Sequence, residues 1–137
     1  MIRWLAGLLL LFCIHTRTAA DTYTLIVCGT GGEETYTETF TTWGTRLRAA
    51  LIDRCEFDPD KIVLLTEKND TPEATAPSTR ESILSRLREL GVRSGRADQL
   101  LVFLIGHGSY RHREAKLNIA GPDLSAEDLA ITLQEIR

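Results

Sequence analysis

The stretch "LVFLIGHGS", residues 101–109, decides how this chain is read. From Gln99 to Ile105 the side chains are almost all apolar, and the run is strand length. It then stops at Gly106, His107, Gly108 and Ser109. The chain holds three histidines, so composition does not explain one set between two glycines at the mouth of an apolar strand. Open α/β sheets bind their ligands at the carboxyl ends of their strands. An imidazole, with an ordinary pKa of about 6.5, suits proton transfer near neutrality. Flanking glycines let the backbone approach a ligand closely and take dihedrals other residues avoid.

Upstream, "TYTLIV" from Thr22 to Val27 reads as a first strand, followed by the glycine-rich loop "CGTGGEETYTET". A helix is predicted from about Glu38 to Arg54. Phe40, Trp43, Leu47, Ala50 and Leu51 form its apolar stripe, with Gly44 as a weak point. "FDPD" makes a turn, and "KIVLL" from Lys61 to Leu65 is the second strand. The segment from Thr66 to Pro77 is polar, lacks periodicity and is expected to be a loop. A second helix is predicted to begin at Ser78, with Glu81 in capping-box spacing, and to end at a left-handed Gly91. Its stripe is Ile83, Leu84, Leu87 and Leu90. After the third strand, Gln99 to Ile105, come a loop and a short extended piece from Lys116 to Ala120. A last helix is capped by Ser125 with Asp128 and carries Leu129, Leu133 and Ile136.

The order β-α-β-α-β-α implies an α/β three-layer sandwich with a mostly parallel sheet and right-handed crossovers. Strand one is then central and strand three lies at an edge. An uncovered apolar edge is a pairing template. The expectation is a partner strand there, from a missing carboxyl-terminal half or from a partner chain.

Residues 1–20 read as an export signal: Arg3, an apolar run of eleven residues from Trp4 to Ile14, and small residues at Thr18 and Ala20. That run falls short of the roughly 20 residues a spanning helix needs, so no stable membrane anchor is expected. The protein is expected to be exported, periplasmic or secreted, with residues 21–137 forming one domain. Loss of Arg3 and Arg17 moves the net charge from -3 to -5 over 117 residues, which argues against nucleic acid as a partner. Cys28 and Cys55 are placed at opposite ends of a strand–helix unit, about 20 Å apart. A disulfide needs Cα atoms within about 7 Å, so two free thiols are expected.

The blocks "LIVCGTGG", "DPDKIVLLTE", "STRESILSRL", "DQLLVFLIGHGS" and "LNIAGPDLSAEDLA" resemble the caspase-haemoglobinase fold of caspase- and legumain-type cysteine peptidases. The likeness covers most of residues 21–137; its most specific element is the His-Gly pair ending a long apolar strand. It implies that His107 is the general base or acid of a Cys-His dyad. It also implies that the Gly108 backbone N–H stabilises the oxyanion, a role suited to a preorganised donor. Gly29, Thr30, Gly31 and Ser109 are the implied substrate-binding residues, with a peptide or protein as substrate. For the glycine loop, a plain turn is an equal reading.

Two departures stand out. The family's nucleophilic cysteine follows a further core strand that these 137 residues do not contain, so the fold reads as incomplete and the chain as inactive. Legumain-type members place Asp before the histidine, where this chain has Gly106. Cys28 is the one alternative nucleophile, against the reading of a small residue packed under the loop. No cofactor is expected: the glycine loop lacks the ending of a phosphate loop and puts Glu34 where a dinucleotide fingerprint needs glycine. No metal is expected, because His107, His112 and Glu114 lack a further ligand at a recognisable spacing. Arg111, Arg113 and Lys116 either bind a substrate carboxylate or form a solvated loop. A non-enzymatic caspase-like binding or assembly module is the competing function.

Overall fold

The computed structural model describes residues 20–136; the predicted signal therefore lies outside the described residues except for its last position. The central strand β1, Thr22–Cys28, is covered on both faces and is buried along nearly its whole length. β2, Ile62–Thr66, pairs with it on one side and β4, Gln99–Ile105, on the other. A two-residue strand β3, Ala76–Pro77, completes a parallel sheet ordered β3-β2-β1-β4. The β1–β4 register runs without a break from Thr22 opposite Gln99 to Cys28 opposite Ile105.

Alternation along β1 builds two cores. Ile26 and Cys28 face helix α1, Glu34–Cys55, and pack with Phe40, Leu51 and Leu64. Leu25 and Val27 face helix α2, Arg80–Arg93, and pack with Ile83, Leu87 and Leu90. Helix α3, Ala126–Glu135, adds Leu129 and Ile136 to that second core. One helix on one face and two on the other give three layers. Each fully buried leucine contributes about 2 kcal/mol. No helix among the described residues is long and apolar enough to cross a membrane.

Several local expectations change. α1 starts at Glu34, not Glu38, so it absorbs half of the glycine-rich loop. Its Trp43 is 54% exposed and does not join the core. Gly44, read as a weak point, is where the helix comes closest to the sheet: a Cβ there would collide with the Cys28 Sγ. The α2 cap is Thr79, whose side chain accepts from the Ser82 N–H, whereas Ser78 is buried one residue earlier. Gly91 does not end that helix. It lies inside it, where a Cβ would press on Ile136 at 2.6–2.9 Å, and Ser94 is the C-cap. The third cap is as expected: Ser125 and Asp128 exchange hydrogen bonds of 3.0 and 3.1 Å. Arg80 and Arg88 of α2 tie this helix down through Asp128 and Glu135.

The stretch after β4 is not the expected loop. It folds as a hairpin, β5 Gly108–Arg111 and β6 Glu114–Leu117, with β7 Leu124–Ser125 beside it in an antiparallel sheet. The extended piece predicted from Lys116 to Ala120 begins inside β6. The turn of this hairpin carries positive φ at His112 (51°) and Arg113 (67°), where glycine or asparagine would have announced it.

As expected, β4 stands at the sheet edge. Most of its residues are only half-buried, and Leu104 is 43% exposed.

Candidate active site

β1 and β4 end side by side, and their carboxyl ends carry the candidate residues. The Gly29 N–H extends the β1–β4 ladder to the Ile105 carbonyl at 2.8 Å. Gly106 then turns the chain with φ +156°, a backbone that side-chain-bearing residues rarely adopt. This explains glycine, rather than an acid, before the histidine.

His107 is exposed, but its ring is not loose. Tyr36 and Phe40, one turn apart on α1, each meet it edge-on with centroids 5.0 Å away. Such aromatic pairs contribute about 1 kcal/mol each. The early start of α1 matters here, because Tyr36 lies in the turn the sequence did not assign to helix.

Gly108 opens β5. The Asn118 N–H donates to the His107 carbonyl at 3.0 Å, which makes residues 107 and 118 a hydrogen-bonded pair. Antiparallel ladders alternate, so Gly108 opposite Leu117 is a pair without mutual hydrogen bonds. Its N–H points away from β6. A Cβ at Gly108 would lie 3.1 Å from the Lys116 carbonyl oxygen, so the close strand approach favours glycine. Ser109 faces Lys116 in the same hairpin.

The glycine loop turns inward. The Glu67 carboxylate accepts from the Thr30 hydroxyl at 2.6 Å, the Thr37 hydroxyl at 2.6 Å and the Gly31 N–H at 3.2 Å. Burial acts to raise the Glu67 pKa, but these three donors and the Lys68 charge together hold it below the usual range. Gly29 is buried and Thr30 also donates its N–H to Asn118 at 3.0 Å. The three predicted loop residues therefore sit at the rim with their polar groups engaged by the protein itself. Glu67 was not singled out from the sequence. Its position directly after a buried strand, at the same rim, was the available signal.

Cys28 is buried, and its thiol donates to the Phe40 carbonyl at 3.2 Å rather than to His107. Burial pushes its pKa up to about 11, against a smaller opposite pull from the Gly44 backbone. This is the reverse of an activated nucleophile. Cys28 and Cys55 are both free, and Cys55 is exposed. A thiol reagent such as Ellman's is expected to modify Cys55 within minutes and Cys28 only as the protein unfolds. Equally fast reaction of both would contradict this burial. Among the described residues no group of three His, Cys, Asp or Glu side chains could hold a metal ion.

Comparison with models of protein families and with curated proteins finds no match. The functional reading therefore rests on the rim itself.

Proposed function

We propose that the chain is the amino-terminal part of a caspase- or legumain-type cysteine peptidase homologue. His107 and Gly108 supply proton transfer and oxyanion stabilisation, and the nucleophilic cysteine lies on a further strand seated at the free edge of β4. The observation that carries this reading is the pairing of an exposed His107 with an outward Gly108 N–H at the end of that edge strand. Beside them lies an apolar groove of about 260 Å³, lined by Leu104, Gly106, Gly108, Leu117, Leu124 and Leu129 among others. A further strand paired in parallel on the free edge of β4 would bring its own carboxyl end level with His107.

The chemistry is amide hydrolysis through a thioester. The cysteine thiolate adds to the scissile carbonyl, whose oxygen collects the charge near the Gly108 N–H. The C–N bond breaks and the amine leaves with a proton from His107. Water, giving its proton to His107, then cleaves the thioester to the acid and restores the thiolate beside a protonated His107. Tyr36 and Phe40 hold the ring in place while it shuttles the proton.

Within these 137 residues the nucleophile is missing, and Cys28 is unsuited to replace it. The chain alone is expected to release no fluorophore from a panel of amide-linked peptide reporters. The protein encoded by the extended reading frame is expected to cleave some of them and to lose that turnover on His107→Ala. A frame with no strand-then-cysteine beyond residue 137 would overturn the peptidase reading. The competing reading, a binding or assembly module, draws on Glu67, which already occupies the loop donors that a substrate would use. Turnover by the short chain, abolished by His107→Ala, would overturn the missing-nucleophile reading and make Cys28 the nucleophile.

A further inference from the structure

The polar face of the small antiparallel sheet carries an arrangement that the proton-transfer site does not use. Register places Ser109 opposite Lys116 and Arg111 opposite Glu114, and alternation puts these four side chains on one face. A cavity of about 490 Å³ lies over that face, with Asn118 and Asp123 closing its far end. Lys116 and Glu114 neutralise each other at 3.1 Å. Arg111 and Asp123 make no ion pair among the described residues.

Asn118 supplies the second observation. Its main chain is fully used, donating to the His107 carbonyl and accepting from the Thr30 N–H. Its side-chain oxygen Oδ1 is buried and has no hydrogen-bond partner. Buried acceptors are normally paired, and this one belongs to a residue that lines the cavity, so a rotation of the amide toward the cavity would offer it to a donor there. Asp123 adds a negative charge at the same end. The opposite end, at Arg111, offers a cation.

We infer that this cavity binds the amino-terminal segment of an extended peptide, its ammonium group between Asn118 and Asp123 and an acidic side chain against Arg111. The spacing sets the register: positions 107 to 111 span about 13 Å of strand, which an extended peptide covers in about four residues. The inference rests on the proposed function, which gives such a ligand a source. The amine that leaves with the His107 proton becomes a new peptide amino terminus, and Asn118 pairs with the His107 backbone. The departing segment would therefore lie along the hairpin face, and an acidic residue near its fourth position would be favoured.

The test is a binding titration of the full chain, followed by backbone amide NMR shifts. The probes are the pentapeptide amide Ala-Ala-Ala-Asp-Ala with a free amine, its Asn counterpart and its N-acetylated form. The free-amine Asp peptide is expected to bind about fivefold more tightly than either comparison, the size of one partly exposed charge pair. Shifts should centre on Ser109, Arg111, Asn118 and Asp123. Arg111→Gln should remove the Asp preference alone, and Asp123→Asn the free-amine preference alone. Equal affinity for the three peptides, or no binding at all, would overturn the inference. The comparison in the wild-type chain needs no variant to fold. It also needs no nucleophile, so its failure leaves the peptidase reading to the turnover assay, and the converse holds.

Discussion

Replacing Gly29 by alanine is expected to destabilise the protein by about 3 kcal/mol, the upper range for forcing extra volume into a packed site. The reason is a collision between backbones. A Cβ on Gly29 would fall well inside contact distance of the Asn118 carbonyl oxygen, with the Ile105 carbonyl oxygen already in ordinary contact at 3.6 Å. A flexible side chain could swing aside, but these carbonyls cannot. Asn118 accepts from Thr30 and donates to His107, so displacing it loosens two hydrogen bonds that join β1, the hairpin and the candidate base. Gly32→Ala is the control. Gly32 has φ +74° with nothing near a built Cβ, so only the left-handed backbone is penalised, by about 1 kcal/mol. Urea unfolding of the two variants measures the difference. Equal midpoints would mean that Asn118 and its neighbours yield freely, and that the rim is not rigid.

Glu67→Ala is expected to cost about 2 kcal/mol near pH 7, because it strands the hydroxyls of Thr30 and Thr37 and the Gly31 N–H. Glu67→Gln retains an acceptor and should lose about half of that. The pH dependence follows from the direction of the pKa. The Glu67 carboxyl titrates lower folded than unfolded, so its contribution is fully present above the ordinary value of 4.5. It fades as the pH falls through the lower folded value. The wild-type advantage over Glu67→Gln, read from urea midpoints, should therefore shrink steadily between about pH 5 and pH 2. An advantage that persists unchanged to the acid end would show that the carboxylate charge is not what holds the loop.

The large features were legible because they follow from periodicity. β4 was placed to the residue by its apolar run and the glycines after it. The α1-facing and α2-facing stripes followed from three- and four-residue spacing, and the Ser125–Asp128 box from its own local chemistry. Most of the errors share one cause, which is that contacts distant in the chain outweighed local preference. α1 starts early where Glu67, thirty residues away from Thr37, satisfies the loop that leads into it. Gly44 reads as a weak point and Gly91 as a helix end, yet both lie inside helices and each allows a neighbouring element to come close. Trp43 matched the helical spacing of the core, but Gly44 beside it takes the position against the sheet and leaves Trp43 54% exposed, against Phe40. The hairpin was hidden because His112 and Arg113 adopt a turn that their residue types do not advertise.

The candidate site divides in the same way. His107 and Gly108 could be named from residues 101–109, since a strand's end and its glycines are adjacent in sequence. Tyr36, Glu67 and Asn118 could not, because each reaches the rim from a different element.

By itself, the sequence determined the parallel order with β1 at its centre, the exposed edge of β4 and the rim position of His107, since the alternating order of strands and helices set the first two and the end of an apolar run set the third. Only the tertiary structure decided which groups stand free there. It buried the Cys28 thiol against Phe40, filled the glycine loop with Glu67 and left the Asn118 side-chain oxygen unpaired. Hydrogen-bond satisfaction depends on which distant atoms meet, and no local pattern of residues encodes that.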